Sequence, residues 1–160
     1  MRRSRGSSAR VSFVPFAPSA LAEYADDDQA LIEHQARLVK PIADIFRPMF
    51  EESGGKHGYV SIQGDPIRDE DTELIISQSL ANREIGSNIC CKIPTTEAGL
   101  AAMEHLVPLG TPINATEIFA VKQMTVLCDT YERLAKENGQ RPMLFMSHIA
   151  GIYDQYLKTY

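Results

Sequence analysis

Short apolar runs of strand character alternate with longer stretches of helical period along most of the chain. Gly58-Tyr-Val-Ser-Ile-Gln-Gly-Asp-Pro66 reads as a first strand, closed by Gly and Pro. Asn88-Ile-Cys-Cys-Lys-Ile93 is a second, stopped by Pro94, Ile113-Asn-Ala-Thr-Glu-Ile-Phe119 a third, and Met143-Leu-Phe-Met146 a fourth. Asp69-Glu70-Asp71-Thr72 puts acid at the start of a helix running to about Gly86. Thr95 and Thr96 can cap a helix through about Val107. Residues 121–138 form a long helix stopped at Asn138-Gly139, and residues 150–159 a last one. Before the first strand, Leu31, Leu38, Ile42, Ile45, Met49 and Phe50 recur every three to four residues behind the capping run Asp26-Asp27-Asp28. Pro41 and Pro48 interrupt that pattern and predict a kink or break near residue 40.

Strand, helix, strand, helix with short connections predicts a parallel sheet of right-handed βαβ units, an α/β fold. The strands recur about every 25 to 30 residues. No GxGxxG or GxxxxGK[ST] follows any of them, which leaves a dinucleotide site, a P-loop or a flavodoxin-like phosphate loop unsupported. The regular period fits a (β/α) barrel better than a Rossmann sheet.

Composition adds limits. The 160 residues are 44% hydrophobic and 23% charged, near the globular average, which excludes disorder over most of the chain. No membrane span is expected. The net charge of −5 argues against nucleic-acid binding through a broad basic face. Residues 1–22 carry Arg2, Arg3, Arg5 and Arg10 and no acid, leaving 12 basic against 21 acidic residues for the rest. Residues 1–26 are therefore read as an Arg/Ser-rich, disordered leader and residues 27–160 as the domain. Within residues 1–22 the pattern also loosely fits a targeting segment. Cys90 and Cys91 are adjacent in an apolar strand and so point to opposite faces. With Cys128 they make an odd number, giving no disulfide framework and favouring free thiols in a reducing cytoplasm. No Cys/His spacing suits a metal, and the four histidines (His34, His57, His105, His148) are scattered. Neither a metal nor a cofactor is expected.

Function in a parallel sheet gathers at the carboxyl ends of the strands. Gln63, Lys92, Asn114 with Thr116, and Ser147 sit there on successive strands. Lys92 lies between Cys91 and Ile93, and desolvation by apolar neighbours favours the neutral amine, which can attack a carbonyl. The alternative is a lysine with a buried stem and an ammonium in water. Asn114 and Thr116 share a face and could bind a hydroxylated substrate or simply form a solvated polar layer. Asp65 and Asp69 read as turn and cap residues, and Tyr153, Tyr156, Leu157 and Tyr160 as packing.

The stretch Cys91-Lys92-Ile93-Pro94-Thr95-Thr96-Glu97-Ala98-Gly99-Leu100-Ala101-Ala102 resembles the segment around the Schiff-base lysine of the transaldolase family. Pro112-Ile113-Asn114-Ala115-Thr116-Glu117-Ile118-Phe119 is similar to that family's Asn-x-Thr-x-x-Phe strand. Phe145-Met146-Ser147-His148-Ile149-Ala150-Gly151 is similar to its serine-bearing, phosphate-side strand, and Gly58–Asp65 to the strand before the lysine. The three motifs fall in order, from about residue 30 to 158.

The resemblance implies a metal-free TIM barrel that cleaves ketoses through a lysine Schiff base in sugar-phosphate carbohydrate metabolism, the pentose phosphate pathway included. Its members transfer or release a dihydroxyacetone unit. Catalytic residues would be Lys92 as nucleophile, Thr116 positioning water, and Gln63. Asn114 and Ser147 would bind substrate, a small sugar or sugar phosphate. Gln63 stands where transaldolases carry a glutamate, as in the fructose-6-phosphate aldolase-like branch, and Ile152 where the family places a phosphate-binding arginine.

About four of eight strands are represented, so the barrel is expected not to close within this chain, truncated at both ends. Open edges imply a homo-oligomer. The alternative function is a catalytically inactive half-barrel acting as an interaction module or truncated gene product. The expected location is cytoplasmic.

Overall fold

The computed structural model describes residues 27–159. The expected leader and targeting segment therefore lie outside the described residues. Contacts divide the chain into residues 1–35 and 36–160, and of the first unit only the start of one helix is described. That helix, α1, is Asp27–Glu52. There follow β1 (Val60–Gln63), α2 (Thr72–Arg83), β2 (Ile89–Pro94), α3 (Glu97–Leu106), β3 (Ile113–Ile118), α4 (Val121–Asn138), β4 (Leu144–His148) and α5 (Ala150–Leu157).

All strand pairs are parallel, and the order is β1-β2-β3-β4, the order of the chain. A doubly wound sheet reverses direction at a switch point. This sheet runs one way, as a barrel wall does, and β1 and β4 remain edges. It is an open arc of a (β/α) barrel.

Helix ends follow their local chemistry. Asp71 caps α2, its carboxylate accepting from the Leu74 amide at 3.0 Å. Thr96 caps α3, its hydroxyl accepting from the Gly99 amide at 3.1 Å. Gly139 ends α4 at φ 68°, a left-handed conformation that a glycine adopts freely. Ile75 of α2, Met103 and Leu106 of α3, and Leu127 and Leu134 of α4 form a core with Ile93, Ile113, Ala115 and Ile118 of the sheet. Each large side chain fully buried there contributes about 1.5–3 kcal/mol.

A smaller cluster joins Ala43 of α1 to Ile62, Ile89 and Cys91. The Asn88 amide ties it together, donating to the carbonyls of Ala43 and Gly58, each at 2.9 Å. Gly58, at φ 83°, lies so close to α1 that a Cβ would stand 2.6 Å from the Phe50 nitrogen.

Three expectations are corrected. Of the kink or break expected near residue 40, the break is absent: α1 runs through both prolines. A proline removes one hydrogen bond, and the flanking turn is braced by Lys40, whose ammonium lies 2.7 Å from the Asp44 carboxylate, and by Arg47 against that same carboxylate. The apolar stripe Leu38, Ile42, Ile45 and Met49 is exposed, and Val39 and Ala43 pack instead. The last helix buries none of its side chains: Tyr156 and Leu157 are exposed, whereas Tyr153 packs on His148 with ring centroids 4.8 Å apart, and Tyr160 lies outside the described residues. Among the described residues no helix is long and apolar enough to cross a membrane.

Candidate active site

Adjacent strand residues point to opposite faces. Cys91 and Ile93 face the helices, Cys91 donating its thiol to the Ser79 carbonyl of α2 at 3.2 Å. Lys92 therefore projects from the other face, away from α2 and α3. Its apolar chain neighbours do not surround it, contrary to the expectation from sequence adjacency. Its environment is polar instead. The Lys92 ammonium donates to Gln63 Oε1 at 2.9 Å.

Register builds the rest of the site. Gln63 is the direct partner of Lys92, and Lys92 of Asn114. Three strands thus present glutamine, lysine and asparagine in one row. Thr116, two residues along β3 and partnered with Pro94, shares the face and is buried. Asn114 anchors a second line of contacts. Its Nδ2 donates to Ser61 Oγ at 3.2 Å, and its Oδ1 accepts from Ser147 Oγ at 2.8 Å. All five residues selected from the sequence are brought to one face.

The stretch after Lys92 has a structural logic of its own. The Thr96 hydroxyl caps α3 and also donates to the Asp69 carbonyl at 3.3 Å, which fixes the β1–α2 connection beside β2. Gly99 lets α3 approach the end of β2: a Cβ on it would lie 1.9 Å from the Pro94 oxygen.

Two acidic residues join the site that sequence reasoning did not place there. A cleft at the carboxyl ends of β1, β2 and β3 is lined by Gln63, Lys92, Thr116, Asp69 and Glu117. Glu117 has φ 62°, the one non-glycine residue with positive φ among those described. The register of β3 on β4 shifts between Ala115 and Ile118, so Glu117 is the extra residue of a bulge. Regular alternation would send position 117 toward the helices. The bulge lets Ile118 take that core place and releases Glu117 to the cleft.

Gln123 fixes this geometry. Its Nε2 donates to the Glu117 and Thr95 carbonyls, each at 3.2 Å, and its Oε1 accepts from the Phe119 and Ala120 amides at 2.9 and 3.1 Å. Burial raises the Glu117 carboxyl above its usual value. The nearby Asp69 carboxylate raises it further, by like charge and by a shared hydrogen bond, and the charge of Lys92 opposes both. The apolar spacing 113, 115, 118 was the sequence signal for the bulge.

The sequence profile of the Transaldolase/Fructose-6-phosphate aldolase family matches residues 16–156, beginning inside the segment read as a leader. Transaldolase 1 of Streptomyces avermitilis is 39% identical over 106 residues, covering 65% of this chain and 28% of that protein. Transaldolase 2 of Streptomyces coelicolor is 37% identical over 106 residues, 63% of this chain and 28% of the relative. Transaldolase 2 of Nostoc punctiforme is 38% identical over 97 residues, 59% and 26% respectively. The aligned stretch thus spans little more than a quarter of these relatives. With the family profile matching residues 16–156, most of the chain, the chain belongs to the transaldolase/fructose-6-phosphate aldolase family.

Proposed function

We propose that this chain carries the Schiff-base centre of an aldolase or transaldolase acting on a ketose or ketose phosphate. The observation that supports this most is the row Gln63–Lys92–Asn114, three register partners on the face opposite the core of α2, α3 and α4. The Lys92 amine, once deprotonated, adds to the ketose carbonyl. Loss of water gives an iminium that withdraws electrons from the adjacent carbon–carbon bond. Cleavage of that bond leaves an enamine on Lys92 and frees an aldehyde. The three-carbon unit then passes to another aldehyde or, after protonation and hydrolysis, leaves as dihydroxyacetone.

Gln63 holds the Lys92 nitrogen and can orient the departing water. Asn114 contacts the bound donor, and Thr116 positions the hydrolytic water. Ser147, hydrogen-bonded to Asn114, lies toward the far end of the substrate, where a phosphate would sit. Cytoplasmic sugar metabolism is the setting that fits such chemistry.

Borohydride trapping tests the proposal. Reduction in the presence of dihydroxyacetone or fructose 6-phosphate should fix one three-carbon or hexose unit on the Lys92 peptide, read by mass spectrometry. Lys92→Arg should abolish labelling. Pure, folded protein that takes up no label would refute the Schiff-base reading.

A second reading, self-association through the sheet edges, is favoured by the exposure of Phe145 and Met146 on β4. Sedimentation velocity distinguishes it: a monomer across the micromolar range would count against it.

A further inference from the structure

We infer that Glu117, paired with Asp69, is the acid–base group of the Lys92 centre and gives the proton that turns the carbinolamine into the iminium. The inference rests on the Schiff-base reading above and assigns a step within it.

A carbinolamine loses its hydroxyl poorly unless an acid protonates it. The Lys92 nitrogen donates to Gln63, whose amide oxygen accepts and has no acidic proton to give. The carboxyls at this cleft are those of Asp65, Asp69 and Glu117, and the cation facing them is Lys92. Asp65 is engaged elsewhere: its carboxylate accepts from Arg68 Nε at 2.8 Å and from the Ile67 amide at 2.8 Å. Glu117 is turned into the cleft by a bulge with backbone strain at φ 62°, and Gln123 maintains that strain with four hydrogen bonds. Strain at this point, where regular alternation would place residue 117 toward the helices, is a cost that aiming a carboxyl at Lys92 explains. Burial and the Asp69 carboxylate both favour its protonated form, which suits a proton donor near neutral pH.

The step balances. The Lys92 nitrogen has added to the ketose carbonyl and carries the carbinolamine carbon. The Glu117 proton passes to the carbinolamine hydroxyl, the C–O bond breaks, and water leaves. The nitrogen lone pair forms the C=N bond, and Glu117 is left as a carboxylate beside that of Asp69, facing the positive charge of the iminium. In hydrolysis it takes the proton back from the attacking water.

The test follows the rate at which cyanoborohydride and dihydroxyacetone label Lys92, in wild-type protein and variants matched for thermal unfolding. Glu117→Gln should label at least about 100-fold more slowly, with Glu117→Asp in between. Each rate is divided by the fraction of Lys92 present as free amine, measured in that variant by nitrogen-15 NMR, before the ratio of wild-type to Glu117→Gln is taken. That ratio should fall toward one as pH rises and Glu117 ionises. In an Asp69→Asn background, which removes the like charge, that fall should move to lower pH. A glutamine variant that labels at the wild-type rate, or a ratio independent of pH, would overturn the assignment. If Glu117→Gln does not fold, the wild-type, Glu117→Asp and Asp69→Asn pH profiles, corrected in the same way for the free-amine fraction, still decide, because a purely structural glutamate then gives all three the same profile. Wild-type protein that is never labelled would sink the underlying Schiff-base reading, and this is distinguishable from a labelled wild type whose rate ignores Glu117.

Discussion

Replacing Gly99 by alanine isolates the contact that holds α3 against the lysine strand. A Cβ at this position would stand 1.9 Å from the Pro94 oxygen and 3.0 Å from its carbonyl carbon. Real Cβ atoms do not approach a backbone atom closer than 3.0 Å, so α3 and the end of β2 must part by about 1.1 Å. Overpacking against backbone, which has no rotamer to yield, costs about 3 kcal/mol. Alanine returns about 1 kcal/mol through its better helix propensity. The expected net loss is about 2 kcal/mol, or about 4–8 °C in Tm for a chain of this size.

Gly151 in α5 supplies the control, since nothing lies within 4 Å of where its Cβ would be. Gly151→Ala should therefore raise Tm by up to about 2–4 °C. Calorimetry on the two variants reads opposite signs for one chemical change. A second readout is the Lys92 labelling rate. Pro94 and Lys92 share β2, and displacement of reacting groups by about 1 Å can slow chemistry about 100-fold. If Gly99→Ala proves as stable as wild type, the close approach of α3 to Pro94 is not a constraint on this site.

Asn88→Ala leaves the buried Ala43 and Gly58 carbonyls without their amide donor and should lower stability by about 2 kcal/mol, read from the urea midpoint; a change under about 0.5 kcal/mol would show that α1 is held by packing alone. Burial pushes the Cys90 thiol up to about 12 and the Cys91 thiol up to about 11. Iodoacetamide at pH 8 should accordingly modify the partly exposed Cys128 in the folded protein and all three cysteines in urea, and native labelling of Cys90 or Cys91 would contradict their placement. The same shifts carry a sign for stability. The unfolded thiols ionise near 9 and the folded ones only at about 11 to 12, so this contribution is complete below pH 9 and is lost as pH rises through 11, which urea titrations across that range would detect.

The strand–helix alternation was legible because each element announces itself locally. Asp71 and Thr96 sit where capping requires them, Gly139 ends its helix in the left-handed region, and four β-rich runs are separated by polar connections. What local pattern cannot report is which apolar stripe of a helix finds a partner. Leu38, Ile42, Ile45 and Met49 make the more conspicuous stripe of α1, but the surface available to it takes Val39 and Ala43, small enough for the strands to come close. Proline misled for a related reason. Pro41 and Pro48 each remove an intrahelical hydrogen bond, but Ala43, between them, is buried against the strands, which holds that turn helical.

The site divides along the same line. Gln63, Lys92, Asn114, Thr116 and Ser147 could be chosen because strand period places them on one face and strand register then lines them up. The surroundings of Lys92 were misjudged from chain neighbours that the same period sends to the opposite face. Asp69 and Glu117 were invisible to that logic because neither obeys a period: one lies in a connection, the other in a bulge that breaks alternation. Yet the break was written in the chain, since the core-facing positions 113 and 115 are followed by 118 rather than 117. An extra residue in a strand edge near a cleft re-aims a side chain. A skipped beat in the apolar alternation of a barrel strand, with a carboxylate on the skipped position, is thus itself a signal for where proton transfer can be sited.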